Sequence, residues 1–304
     1  MSTELSPAPV RGIEHGSPPP RRGRRAGLAA LVVAIIVLIG VGLVIFGWMV
    51  NETHFNRPSP ELEEFATEID RLPGVASVDT ERWVEAPTFS NPTTTVAVAV
   101  DRAGLPALLD AACATDYPDG VTWAIRVVTP SSTEVSLHAS SPPDSEAASR
   151  CLDFGFDAAG LIDELGRVGP GLSLQPSIFE PGRLTVVEVE EARAGFTHLL
   201  PLVAYAPNLL AAAGLAFEDD VEINAATLGV RLSGGEAAEY LALLRELADD
   251  RGVTSFWASD ATQQTDGVAK VQLVAPALQQ TAIERAITSS ALPIAAYSIR
   301  FIEQ

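Results

Sequence analysis

Cysteine, lysine and histidine are scarce in this chain. Of its 304 residues, two are cysteine and four are histidine, and Lys270 is the sole lysine beside 19 arginines. Two cysteines are too few for a disulfide-rich scaffold or for a zinc site with four cysteine ligands. The strong preference for arginine, with abundant Ala, Gly, Val and Leu, resembles the composition of proteins from bacteria with GC-rich genomes.

Basic residues are also few compared with acidic ones. The chain holds 20 basic and 39 acidic residues, which gives a formal charge of −19. Recognition of nucleic acid depends on basic patches that contact phosphate, so this balance argues against a nucleic-acid partner. Because 47% of the residues are hydrophobic and only 19% are charged, the composition is that of a folded protein rather than of a disordered one.

The longest stretch without charge covers residues 26–50. At about 1.5 Å per residue it would form roughly 37 Å of helix, enough to span a hydrocarbon core of about 30 Å. A cleaved signal peptide is the alternative, but its apolar region is only about 7–15 residues long and ends at a small-residue cleavage site. We therefore expect a single-pass transmembrane helix that contacts the lipid bilayer through residues 26–50, with Trp48 at the interface.

Basic residues set the expected orientation. An arginine cluster at 21–25 lies directly before the apolar run, and positive flanks stay on the cytoplasmic side of the plasma membrane. Residues 1–25 are rich in Pro, Ser, Gly and Arg and are expected to form a disordered cytoplasmic tail. Residues 51–56 are then a stalk, and the acidic remainder of the chain is extracytoplasmic.

A helical stretch followed by two extended runs recurs along residues 57–304, with about 40–47 residues per unit. Two such units make one ferredoxin-like plait, an antiparallel sheet with both helices on one face. The predicted fold class is therefore α+β: the single N-terminal transmembrane helix, followed by tandem ferredoxin-like plaits built from helix–hairpin repeats. The expected plaits are residues 57–141, an irregular 142–232, and 233–304. One continuous sheet of merged units is the alternative.

The strands are predicted from β-branched residues at alternate positions and from turn residues between the runs. The predicted runs are Val75–Val84 with Thr94–Asp101, Thr122–Thr129 with Glu134–Ala139, Leu172–Ile178 with Leu184–Val189, the region Val221–Leu232, Thr254–Ser259 with Val268–Ala275, and a final Ile294–Ile302.

Local signals also mark the helices. Ser59 and Pro60 suit the N-cap and first position of a helix, and Ser233 with Glu236 has the spacing of a capping box. Pro201 and Pro207 are expected to break the helical stretch 192–214. In the first helix one face is apolar, and we expect that face to be buried; it carries Leu62, Phe65, Ile69 and Leu72.

The segment Leu72-Pro-Gly-Val-Ala-Ser-Val78 resembles the helix-to-strand turn of heavy-metal-associated ferredoxin-like domains. The resemblance covers seven residues and implies a fold only. Those domains bind metal through a Cys-x-x-Cys loop, which this sequence lacks, so no metal site is carried over.

Cys113 and Cys151 are expected to form a disulfide, because an even number of cysteines outside the cytoplasm favours pairing. Two buried free thiols are the alternative, since a free cysteine packs as a small hydrophobic residue. Neither cysteine belongs to a Cys-x-x-Cys motif, and Arg150 is the one adjacent basic residue, so a catalytic thiol is not indicated.

No catalytic residue, cofactor or metal site is predicted. The histidines have neither i,i+4 nor His-x-His spacing, and no Gly-x-Ser-x-Gly motif is present. Acidic clusters at 188–191, 218–220 and 249–250, and the loop 260–267, are expected to be solvated rather than to bind calcium. The four histidines are His15, His54, His138 and His198.

The expected function is non-enzymatic: a binding, scaffolding or assembly component of the cell envelope with a protein partner. An envelope enzyme with dispersed acid and base residues, and a small-ligand sensing domain, are the alternatives. A deep pocket holding carboxylates with perturbed pKa values would favour the enzyme. A flat apolar patch or an exposed sheet edge would favour the protein partner.

Overall fold

A computed structural model describes residues 39, 41–42, 55–56, 59–84, 92–142, 150–189 and 194–302. Residues 55–304 form a unit of their own, separate from residues 1–54, and the account below concerns that unit.

Twelve strands of the described residues form one sheet, in which spatial order is the same as chain order. Each hairpin is antiparallel, and each pair of hairpins is joined through parallel neighbours, for example β3 with β4 and β7 with β8. The strands are β1 (Phe55–Asn56), β2 (Val75–Val84), β3 (Thr93–Asp101), β4 (Val121–Val128), β5 (Glu134–Ser141), β6 (Ser173–Glu180), β7 (Arg183–Glu188), β8 (Asp220–Asn224), β9 (Leu228–Ser233), β10 (Ser255–Ser259), β11 (Lys270–Val274) and β12 (Ser298–Phe301).

Helices connect the parallel neighbours, and the first helix lies between the antiparallel strands β1 and β2. Ser59 caps the first helix through its side chain, and Pro60 opens it; the capping box of Ser233 and Glu236 is present before the sixth. Pro201 and Pro207 each lie in the first turn of a short helix, which is where proline is tolerated. The helices are α1 (Pro60–Asp70), α2 (Leu105–Ala114), α3 (Ala158–Val168), α4 (Leu200–Ala204), α5 (Ala206–Ala212), α6 (Ala237–Arg245), extended by a π-helical turn (Glu246–Asp250), and α7 (Gln280–Thr288).

The prediction of tandem ferredoxin-like plaits is wrong. In such a plait the helical crossover passes over one strand, so chain order and spatial order differ. Here each helix leads to the immediately adjacent strand, and successive units add at one growing edge. The helix–hairpin repeat is confirmed, but it builds the continuous sheet that was the alternative.

Two junctions in this sheet are narrow. Strands β5 and β6 share two residue pairs, and so do β9 and β10. The parallel neighbours β3 and β4 share eight pairs and β7 and β8 share five. The narrow junctions lie close to the expected plait boundaries after residues 141 and 232.

The helices cover one face of the sheet, which we call the buried face. Along β4, Val121, Trp123, Ile125 and Val127 are buried while the residues between them are exposed or half-buried. The same alternation continues through the register of neighbouring strands, so one apolar layer extends across the sheet. Against it pack Leu62, Phe65 and Ile69 of α1, as predicted, with Leu72 half-buried.

The predicted transmembrane helix needs correction. Among the described residues no helix combines the length and the apolar character needed to cross a bilayer. Of the expected span at 26–50, only Ile39, Val41 and Gly42 are described; the remainder of that span, like the predicted tail at 1–25, lies outside the described residues.

The last strand is shorter and differently placed than predicted. Pro293 starts a 3₁₀ turn (Pro293–Ala296), so β12 covers only Ser298–Phe301. It pairs with β11 in parallel and is the outermost strand of the described sheet, not a central one. Ile283, Ile287 and Ile294 are buried, whereas Ala296 is exposed.

Candidate functional site

One face of the sheet is covered by none of the described helices, and we call it the open face. In its first half it carries mainly small uncharged side chains. The registers align one row across four strands, in which Asp79, Ala97, Ala124 and His138 lie side by side. The neighbouring row consists of Ser77, Ala99, Arg126 and Ser136.

These two rows form a trough of about 270 Å³ on the open face. Its floor is made of methyl groups from Ala97, Ala99 and Ala124, because larger residues of β3 and β4 point to the buried face. We call it the alanine trough. Ala99 is only 8% exposed although no helix covers it, so the trough is recessed into the sheet surface.

Charged and polar groups stand at the ends of the alanine trough. Asp79 and His138 are exposed, and their side chains take part in none of the hydrogen bonds or ion pairs between described residues. Three strand spacings separate them, or about 14 Å. Arg126 is 55% exposed, and its Nη1 lies 3.6 Å from Glu134 Oε2. The trough therefore offers a carboxylate at one end and a guanidinium and an imidazole at the other, with an apolar floor between.

A second group of charged residues ties β8, β9 and the end of β10 together. Arg231 Nε donates to Asp220 Oδ2 at 2.7 Å, and Nη1 donates to Asp260 Oδ2 at 3.0 Å. Hydrogen bonds from Thr262 are the main cause that lowers the pKa of Asp260. Asp260 thus has two roles: it belongs to an ion-pair network, and it caps a 3₁₀ turn (Ala261–Gln263).

The predicted pair Cys113 and Cys151 is joined by a disulfide in the structure. It links the end of α2 to the segment that precedes α3. Beside it, the buried Arg150 donates to the carbonyl oxygens of Tyr117 and Pro118. The disulfide and the guanidinium of Arg150 therefore both hold the segment before α3 against the loop after α2.

Reducing this disulfide should destabilise the protein. The bond spans 38 residues, and the chain-entropy model then gives a loss of about 3–4 kcal/mol in the free energy of unfolding. Urea unfolding of the oxidised protein and of the reduced, alkylated protein measures the difference. The double variant Cys113→Ala and Cys151→Ala should behave like the reduced protein; unfolding midpoints unaffected by reduction would contradict the expectation.

The other residues singled out in the sequence are not brought together. His138 is on the open face, whereas His198 Nε2 lies 2.9 Å from Glu188 Oε1, with both side chains largely buried. Asp266 binds Lys270 at 2.9 Å. His15 and His54 lie outside the described residues. Within the described ranges, no group of three or more His, Cys, Asp or Glu residues is placed to hold a metal ion.

No protein-family model matches this chain, and neither a curated protein nor a solved structure shows significant similarity to it.

Neither the alanine trough nor its charged ends were among the predicted sites. A signal for the floor was present in β3, where Val96, Val98 and Val100 alternate with Ala97 and Ala99. That pattern predicts a strand with one bulky face and one flat face. It does not reveal which other strands extend the flat face, because that depends on non-local register.

Proposed function

We propose that residues 55–304 form a protein-binding module that contacts its partner through the open face. The supporting observation is that the described helices lie on one face of the sheet, while the other face has a recessed apolar floor between polar ends. This proposal keeps the non-enzymatic function expected from the sequence.

The size of the open face suits a protein partner. With strands about 4.8 Å apart, twelve strands span roughly 50 Å, and strands of about six residues are roughly 20 Å long. The face therefore measures on the order of 1,000 Å², which exceeds the roughly 800 Å² that each partner contributes to a standard protein–protein interface.

The chemistry of the trough region also suits a protein surface. The centre of a typical interface is depleted of charge and its rim is polar. Around the trough, alanine, serine and threonine side chains occupy the middle, while Asp79, Arg126 and His138 stand at its ends. A partner with an apolar ridge flanked by a basic and an acidic residue would complement it.

The disulfide bears on where this binding takes place. Structural disulfides persist in oxidising compartments and are rare in the cytosol. The pair Cys113 and Cys151 therefore supports an extracytoplasmic location as part of the proposal.

Site-specific photocrosslinking tests the open face. A photoreactive phenylalanine analogue at His138, on the open face, should give one discrete protein adduct in cells that produce the protein. The same analogue at Glu239, which is exposed on α6, should give none.

A matched pair of substitutions then separates binding from folding. Ala124→Arg places a long charged side chain on the trough floor and should abolish the adduct at His138. Ala238→Arg, on an exposed position of α6, should leave the adduct unchanged. Adducts of equal yield at His138 and Glu239, no adduct at either position, or an adduct that survives Ala124→Arg while the variant remains folded, would refute the proposal.

A further inference from the structure

A cavity of about 170 Å³ lies beside the ends of β9 and β10, on the opposite half of the sheet from the alanine trough. Its polar lining comes from the ends of β8, β9 and β10, from the start of α6 and from the residue before β12. We call it the tyrosine pocket; it is defined by Asp220, Arg231, Glu236, Tyr240, Asp260 and Tyr297.

Tyr240 is the unusual member of the tyrosine pocket. Its side chain is only 2% exposed, yet its hydroxyl forms no hydrogen bond with any residue that the structure describes. Burial raises the pKa of Tyr240, and repulsion from Glu236 and Tyr297 raises it further. Tyr240 lines the pocket together with both of those residues. Its hydroxyl is not among the fully buried unpartnered atoms of the described residues, so this oxygen reaches the pocket space and is available to a ligand atom.

The tyrosine pocket has an excess of negative charge. Asp220, Glu236 and Asp260 contribute three carboxylates, and Arg231 supplies the one cation of the six defining residues. Arg231 is shared between two of the carboxylates, through Asp220 Oδ2 and Asp260 Oδ2. One oxygen of Glu236 accepts a hydrogen bond from the backbone of Ser233 at 3.0 Å. The second oxygens of Asp220 and Glu236 have no partner among the described residues and remain as acceptors.

We propose that the tyrosine pocket binds a small organic cation that carries a primary ammonium group. Such a group donates three hydrogen bonds, which matches a pocket offering two carboxylate oxygens and two phenol oxygens. Tyr240 and Tyr297 also bring two aromatic rings to the lining of the pocket, and aromatic rings attract cations. The volume is below the roughly 300–1,000 Å³ of sites for drug-sized ligands, which restricts the ligand to a small amine. This site is separate from the alanine trough, with which it shares no lining residue.

Fluorine NMR provides a direct measurement, because the chain has only four tyrosines. The full-length protein labelled with 3-fluorotyrosine should give four resonances, which single Tyr→Phe variants assign. Titration with 1,4-diaminobutane should shift the resonances of Tyr240 and Tyr297 saturably, and those of Tyr117 and Tyr205 should stay in place. Added salt should weaken the binding, because the attraction is between charges.

Two controls test whether the ligand must carry a positive charge. The neutral 1,4-butanediol has the same chain length and should cause no shift; an equal response to both compounds would overturn the assignment of a cation site. Absence of any shift at millimolar 1,4-diaminobutane would show a pocket filled by water only and would likewise overturn it.

One substitution tests how much the hydroxyl of Tyr240 contributes to binding. Tyr240→Phe removes a hydroxyl that has no described partner, so the melting temperature should stay the same while the affinity for 1,4-diaminobutane, followed at Tyr297, falls by roughly tenfold or more. Tyr205→Phe, outside the pocket, should change neither quantity. Unchanged affinity in Tyr240→Phe would contradict the proposal.

Discussion

Replacing Trp123 by alanine should lower the free energy of unfolding by about 3–5 kcal/mol. Trp123 is fully buried in β4, and its ring packs edge-on against Phe65 of α1 with centroids 5.8 Å apart. Phe65 in turn stacks on Tyr117 at 5.4 Å. The substitution therefore leaves a cavity where α1, the loop after α2 and the sheet meet. Domains of this kind are stable by only about 5–15 kcal/mol, so the loss should be plain in equilibrium urea unfolding.

Trp257→Ala is the matched control for Trp123→Ala. Trp257 lies on the open face of β10 and covers Gly229, where an added Cβ would come within 2.7 Å of the indole. It is half-exposed, so its removal should cost about 1 kcal/mol. If both substitutions lowered the free energy of unfolding equally, Trp257 on the open face would be as well packed as Trp123 on the buried face. That result would contradict the distinction between the two faces.

The strands and helix faces could be predicted because their signals are local. Val75–Val84 is a strand with the predicted ends, since alternation of β-branched residues acts over a few neighbours. The burial of Leu62, Phe65 and Ile69 follows from helical spacing within eleven residues. Ser59 and Ser233 fix helix starts through atoms three residues away.

The strand order could not be predicted in the same way. Whether a helix leads to the adjacent strand or passes over one depends on which sheet edge is free when the unit packs, and that is a non-local property. Both arrangements bury the same alternating residues, so the sequence pattern of β3 and β4 is equally compatible with either. The ferredoxin-like prediction therefore failed on topology, although most of the predicted strands are present and only the last is markedly shorter.

The candidate sites could not be predicted from the sequence either, because they also depend on which distant residues the fold brings together. Asp79 and His138 come from strands 59 positions apart in the chain, and only the register of four strands places them in one row. Tyr240 has the spacing of a core residue on α6, and it is one. What distinguishes it is that it lines a pocket together with Glu236 and Tyr297, which is visible only after folding.

Ending the chain after Ser290 should destabilise the whole sheet rather than release an independent domain. The deletion removes Leu292 and Ile294, which are 3% and 1% exposed, together with β12. Each fully buried side chain of this size contributes about 1.5–3 kcal/mol, so the loss of Leu292 and Ile294 alone should lower the free energy of unfolding by roughly 3–6 kcal/mol. Because residues 55–304 form one unit, thermal unfolding should stay a single transition at a lower temperature.

A chain ending after Ala296 separates the contribution of Leu292 and Ile294 to stability from that of β12. It keeps Leu292 and Ile294 and loses Tyr297 and the edge strand, whose Ile299 and Phe301 are half-buried, so its loss should be about half of the roughly 3–6 kcal/mol assigned to Leu292 and Ile294. The ordering of the melting temperatures, full chain above the Ala296 end above the Ser290 end, then follows from burial and not from the number of residues removed. If the chain ending at Ser290 melts at the full-length temperature, the 3₁₀ turn and β12 contribute nothing to the core. If its melting instead splits into two transitions, the last repeat unfolds separately, and the continuous sheet does not behave as one cooperative unit across the two residue pairs that join β9 to β10.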